Sequence, residues 1–248
     1  MDNPARLLVL ASIVLAASAA ADDAPFTTGF PLEDCRFVPW GGNAYFPLRP
    51  GRVAHYSNAD CVAEGECTDL EEVRITVLPQ TRTIVLRIDG RMRYIGTRIV
   101  EEFETENGEV TEVSRNYYAM CLPGNDVYYF GEDVVDGDGQ PKGDAWLAGR
   151  KGARPGIIMP GGAFLLGARY YQELAPRVAL DRAEHVADDL GIETPAGEFD
   201  DCVRIEESTP LEPGSFSDKI YCPGTGLVQD DEVELVSLTD PFGDFDDD

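Results

Sequence analysis

Hydrophobic and polar residues alternate along the chain between residues 52 and 135. Val73, Ile75 and Val77 recur with a period of two, and β-branched residues are frequent at 83–88. Both features are typical of half-buried β-strands. Short segments rich in Gly, Asn and Pro interrupt the alternation at Pro79–Thr81, Asp89–Gly90, Asn107–Gly108 and Pro123–Asn125. Because such connections are too short for a crossover helix, the pattern predicts an antiparallel meander.

A glycine-rich segment, residues 131–162, then breaks the periodicity. It also carries Trp146, Leu147 and an apolar run at 157–159, which supply apolar area for packing. We therefore expect a long ordered loop that packs over one face of the sheet.

The remainder of the chain predicts a second meander. Strand-like segments occur at 164–172, 178–190, 199–206, 219–222 and 232–238. A turn at Pro195–Gly197 separates two of them, and a helix is a second possibility at 180–190. The predicted fold class is mainly β: an antiparallel meander forming a strongly twisted open sheet or a barrel-like sandwich, with a long Gly-rich ordered loop.

The N-terminal segment has the pattern of a signal peptide. Arg6 precedes an uncharged, mostly apolar stretch at 7–20, and small residues at 17–21 offer cleavage sites before Asp22. The stretch is shorter than the ~20 residues of a membrane span. We expect a signal peptide at 1–21, a single β domain at 22–240, an acidic tail at 241–248 and no transmembrane segment. The expected location is the periplasm, the cell surface or the medium.

Charge and cysteine content narrow the function classes. The chain has 46 acidic and 20 basic residues, for a formal net charge of -26. Nucleic acid is excluded as a partner, because its phosphates are bound by neutralising Lys and Arg. An even set of cysteines in an exported chain predicts up to three disulfides, from Cys35, Cys61, Cys67, Cys121, Cys202 and Cys222. Their pairing is open among ~15 connectivities; Cys61 and Cys67 are the easiest local pair to close.

The sequence carries no motif for covalent catalysis, so we expect a binding protein and not an enzyme. It has two histidines and no G-x-S-x-G motif. A group of carboxylates around the Gly-rich segment is a candidate calcium site, with a solvated turn as the alternative: Asp133, Asp136, Asp138 and Asp144.

The two histidines are candidate ligands for copper. Alternation places His55 on the same strand face as Val53, so His55 is buried if Val53 faces the core. A buried imidazole there can form hydrogen bonds or ligate a metal ion. His185 lies among acidic residues and is expected at the surface.

Three segments resemble a group of exported bacterial β proteins: Gly41–Gly51, Asn125–Glu132 and Tyr221–Val228. The group includes the copper-repressible, copper-binding surface proteins of methane-oxidising bacteria (MopE type). The resemblance implies copper held by two histidines and an oxidised tryptophan two residues before the first histidine. His55 then stands as the first ligand and His185 is the remaining imidazole. Val53 occupies the tryptophan position, so the oxidised ligand cannot form there.

A second resemblance involves Thr194–Phe199, Cys202–Glu206 and the hairpin Pro223–Val228. These segments look like envelope proteins with a half-barrel antiparallel sheet, some of which carry lipids. Such a sheet needs a free apolar concave face, which the segment 146–159 can instead fill. The sequence thus predicts a copper-handling protein, with a carrier of a small apolar ligand or a calcium-braced interaction protein as alternatives. For the interaction protein, the sequence does not specify the protein partner.

Overall fold

The computed structural model describes residues 25–241, and most of this region is β-strand. The expected signal peptide at 1–21 and residues 242–248 of the expected acidic tail lie outside the described residues. The strands are β1 (Arg36–Val38), β2 (Gly42–Asn43), β3 (Phe46–Pro47), β4 (Val53–Ser57), β5 (Glu71–Ile88), β6 (Arg91–Glu106), β7 (Glu109–Leu122), β8 (Val127–Asp136), β9 (Trp146–Leu147), β10 (Arg154–Met159), β11 (Arg169–Tyr171), β12 (Glu173–Leu174), β13 (Arg182–Thr194), β14 (Gly197–Ser208), β15 (Phe216–Cys222), β16 (Gly226–Asp230) and β17 (Val233–Thr239). A 3-10 turn at Leu32–Asp34 and a short helix α1 (Ala59–Glu64) complete the elements.

Fifteen strands form one antiparallel sheet, which confirms the prediction of a mainly β fold with a twisted open sheet. The order along its main path is β11-β13-β14-β15-β16-β17-β4-β5-β6-β7-β8-β10-β12, and β1 and β9 pair beside it. The two meanders are joined through β4, which lies between β17 and β5. The hairpin β2-β3 is separate from this sheet.

The predicted hairpins at Asp89–Gly90 and Asn107–Gly108 are confirmed. Both residues of each pair have positive φ, as the tight turn between twisted strands requires. The turn predicted at Pro79–Thr81 is wrong, because β5 continues through it with a register shift. Proline removes one donor from the ladder, and the Arg98 guanidinium donates hydrogen bonds to nearby carbonyls, including that of Pro79 at 2.8 Å. This segment is therefore a bulge within a long strand.

The Gly-rich segment is ordered, but it is not only a loop. β9 and β10 both pair with β8, so part of the segment extends the sheet. Trp146 and Met159 are buried, as expected from their apolar area. The helix considered at 180–190 is not formed. Residues 182–190 belong to strand β13, and residues 180 and 181 precede it.

The two ends of the sheet meet at one short segment, residues 169–174. β11 pairs with β13 and β12 pairs with β10, and only Gln172 separates β11 from β12. The backbone of β10 approaches this segment so closely that a Cβ on Gly156 would lie 2.2 Å from the carbonyl oxygen of Tyr171. The sheet therefore curves around an interior, and glycine permits the contact where its ends approach.

Three disulfides join the six cysteines, which confirms the prediction of a disulfide-bonded protein. Cys61 pairs with Cys67, as the short spacing predicts, and the other bonds are Cys35–Cys121 and Cys202–Cys222. They are consistent with an oxidising compartment. Within residues 25–241, no helix has the length and apolar character of a membrane span.

Candidate functional site

The concave face of the sheet borders a cavity of about 200 Å³. Strands β4 to β8 form one wall, and β12 and β14 to β16 form the other. Strand register explains the first wall: Ala54 lies opposite Ile75, and Ile75 lies opposite Glu102. Because side chains alternate between the faces of a sheet, all three residues point to the same side.

Six aromatic residues line the cavity: Tyr45, Phe46, Tyr56, Tyr118, Tyr129 and Tyr221. The rings of Tyr118 and Tyr129 are stacked with centroids 4.9 Å apart, and Phe46 meets Tyr118 edge-on at 4.9 Å. The hydroxyl of Tyr56 donates to the Leu227 carbonyl at 3.0 Å. These contacts hold the rings in place, so the cavity has a rigid aromatic and apolar wall.

A charged cluster lies on the opposite wall, centred on Lys219. Its ammonium lies 2.8 Å from a carboxylate oxygen of Asp230 and 3.4 Å from one of Glu207. Burial alone would lower the pKa of Lys219, but the charges of Glu207 and Asp230 hold that pKa well above its usual value. Gln172, at the junction of the two sheet ends, donates a hydrogen bond to Glu207 at 2.5 Å. Lys219 is therefore a cation whose charge is already compensated.

Glu102 faces the same cavity without such a partner. It is only partly exposed, and it makes no hydrogen bond or ion pair with any residue in the described range 25–241. Burial, followed by the charge of Glu104, raises the pKa of Glu102 to about 7. Glu173 is almost fully buried, and burial raises its pKa well above the usual range. The interior thus contains carboxyl groups that lack a counter-ion.

The structure places His55 at the surface and His185 in the interior. His55 is exposed on the outer face, between Arg74 on β5 and Ser237 on β17. Burial of His55 required Val53 to face the core, and this condition is not met, because the larger Tyr56 faces the interior together with Ala54. Burial of the aromatic ring removes more apolar surface from water than burial of Val53 would.

His185 is buried, so the expectation of a surface position is wrong. Its two ring nitrogens lie 3.1 Å from the Tyr170 hydroxyl and 3.1 Å from the Leu165 carbonyl oxygen. Burial lowers the pKa of His185 to about 4, so its imidazole is neutral near pH 7. The structure does not bring His55 and His185 together, since their strands β4 and β13 are separated by four others in the sheet.

The carboxylates of the expected calcium site have other contacts or are exposed. Asp133 forms an ion pair with Arg82, and Asp136 accepts hydrogen bonds from two backbone amides of its own turn. Asp138 and Asp144 are exposed. Within the part of the chain that the structure describes, no group of three His, Cys, Asp or Glu residues is arranged to hold a metal ion. Calcium and copper binding stay predictions.

No family model, curated protein or solved structure matches this chain. The resemblances to copper-binding surface proteins and to half-barrel envelope proteins therefore stay predictions.

The acidic and basic residues of the cavity were missed by the sequence analysis. For Glu102, the sequence does carry a sign of an inward position. Glu102 and Glu104 follow Val100 at a spacing of two within a predicted strand, so both carboxylates share a strand face with an apolar residue. The same applies to Lys219, two residues before the buried Tyr221. Charged residues on the interior face of a strand are a marker of a polar cavity or a site.

Proposed function

We propose that this protein binds a small, partly apolar molecule in the concave cavity of its sheet. The observation that carries the proposal is that the Gly-rich segment does not fill this cavity. From residues 146–159, only Ile158 contributes to the lining. Trp146 instead packs edge-on against Tyr129, at 5.1 Å between ring centroids.

The composition of the lining supports a ligand of mixed character. Aromatic and aliphatic side chains form just over half of the lining, and charged or polar side chains form most of the rest. Small-molecule sites have this arrangement, in which apolar surface supplies affinity and polar groups orient the ligand. Each 100 Å² of apolar ligand surface removed from water contributes about 2.5 kcal/mol before the cost of association.

The proposal can be tested by filling the cavity. Ala54 is buried in its wall, so Ala54→Phe should occupy space that a ligand needs. Val236→Phe adds the same ring at an exposed position on β17 and serves as the matched control. Binding of the apolar fluorophore N-phenyl-1-naphthylamine would be titrated for each variant, after circular dichroism and thermal melting have shown that it is folded.

We expect the fluorophore to bind to the native protein and to the Val236→Phe control with equal affinity. Ala54→Phe should weaken binding at least tenfold. Unchanged binding by a folded Ala54→Phe protein would refute the proposal. Extraction of the native protein with organic solvent, followed by mass spectrometry, would identify a ligand that co-purifies.

A further inference from the structure

We infer that the ligand of this cavity carries an organic ammonium group, which pairs with the carboxylate of Glu102 while its apolar part contacts the aromatic wall. This inference rests on the proposed function, because it specifies the chemistry of the molecule bound at the same site.

The balance of charge in the cavity is the first argument. Its lining contains five carboxyl groups and two basic groups, the acids being Glu102, Glu173, Asp181, Glu207 and Asp230. The basic groups are Arg52 and Lys219. Since both interact with acids already, neither is free to compensate the remaining carboxyl groups.

Both basic groups of the cavity already have partners within the protein. One of its guanidinium nitrogens lies 2.8 Å from a carboxylate oxygen of Asp240, and the other donates to the Thr225 carbonyl. Lys219 is held by Asp230 and Glu207 in the same way. An anionic ligand would have to separate one of these pairs, and leaving a buried charge unpaired is costly.

The position of Glu102 is the second argument. It lies on β6, and its Cα pairs with those of Ile75 on β5 and Ser114 on β7, so it stands in the middle of the first wall. Glu102 and the aromatic rings of Tyr56 and Tyr118 line the same cavity, and the charge of Glu102 adds to burial in raising the pKa of the Tyr118 hydroxyl. A carboxylate beside aromatic rings is the arrangement that binds alkylammonium groups, through ion pairing and attraction to the ring faces.

A neutral ligand would leave Glu102 without a counter-ion and would exclude water from it. The carboxyl group would then be driven towards its protonated form, because desolvation disfavours the charged state. An ammonium ligand supplies the missing opposite charge and stabilises the ionised form. The chemistry of the cavity therefore favours a cation over neutral or anionic molecules of the same shape.

The test compares three probes that share a phenyl ring and differ in charge: 2-phenylethylammonium, 2-phenylethanol and 3-phenylpropionate. Affinities would be measured by isothermal titration calorimetry at pH 8 with the native protein and two variants. Glu102→Gln removes the charge inside the cavity, and Glu106→Gln removes the same charge at the exposed end of the same strand.

We expect the ammonium probe to bind at least about tenfold more tightly than the alcohol, and the carboxylate probe to bind most weakly. Glu102→Gln should abolish the preference for the ammonium without weakening the alcohol, whereas Glu106→Gln should preserve it. Equal affinities for ammonium and alcohol would overturn the cation inference and leave the cavity proposal standing. A preference that persists in Glu102→Gln would also overturn the inference, and failure of all three probes to bind would overturn both.

The pH dependence supplies a second readout. The charged groups that act on Glu102 are Glu104 on its own strand, Glu112 on β7, Lys219 on β15 and Asp230 on β16; the three acids raise the pKa of Glu102 and Lys219 lowers it. Because ammonium binding requires ionised Glu102, whose pKa is about 7, affinity should fall about tenfold between pH 8 and pH 6. The alcohol should bind equally at both values, and an ammonium affinity that does not change with pH would contradict the assignment of Glu102.

Discussion

Replacement of Glu102 by glutamine should stabilise the free protein, although the substitution removes a charge from its candidate site. Burial raises the pKa of Glu102 from its usual 4.5 to about 7. One pKa unit corresponds to about 1.4 kcal/mol, so keeping this carboxylate ionised costs the folded state about 3 kcal/mol. Glutamine has nearly the same shape and no charge, and it avoids this cost.

The sign of the pH effect follows from proton binding. Between pH 4.5 and pH 7, Glu102 is ionised in the unfolded chain but largely protonated in the folded protein, so its contribution to stability falls as pH rises. Urea unfolding should show Glu102→Gln close to the native protein at pH 4 and up to about 3 kcal/mol more stable at pH 8. Glu106→Gln provides the control, because this residue lies at the exposed end of β6. A difference between Glu102→Gln and the native protein that is constant from pH 4 to pH 8 would refute the argument.

Three further predictions concern the frame of the sheet and the metal sites. Gly156→Ala places a methyl group 2.2 Å from the Tyr171 carbonyl oxygen, so it should lower the free energy of unfolding by ~2 kcal/mol or more, measured in urea; a cost below ~0.5 kcal/mol would show that the junction is loose. The paired change Cys202→Ala/Cys222→Ala should cost ~2–5 kcal/mol, seen as a lower Tm, and an unchanged Tm would deny this disulfide a stabilising role. If copper binds stoichiometrically, His55→Ala should abolish the binding in a calorimetric titration; retained affinity would exclude His55 as a ligand.

Local chemistry accounts for the parts of the fold that the sequence predicts well. The hairpins at Asp89–Gly90 and Asn107–Gly108 depend on residues that accept positive φ, and these residues are visible in the sequence. Pro79–Thr81 contains no residue that readily accepts positive φ, and it lies within a bulged strand whose carbonyls accept hydrogen bonds from Arg98 on β6.

The site was less predictable for a related reason. Alternation assigns residues to two faces but does not say which face is interior, and for β4 the question stays open in the sequence because Val53 and Ala54 are both apolar. The junction at residues 169–174 and the grouping of Glu102 with Lys219 depend on strands that are far apart in sequence. In a chain with 46 acidic residues, alternation places Glu102 and Glu104 on the same strand face as Val100, but it does not show that this face lines a cavity.

The pairing of β17 with β4 affects how the protein reaches its folded state during synthesis. Leu235 lies opposite Tyr56, so a strand from the C-terminal part of the described chain completes one edge of a strand from its N-terminal part. As the chain is made from its N-terminus, β4 can pair with β5 early but keeps its other edge open until β17 emerges. An open strand edge is a template for pairing with other chains. Until β17 pairs, this edge of β4 can join a strand of another chain, so folding competes with aggregation there.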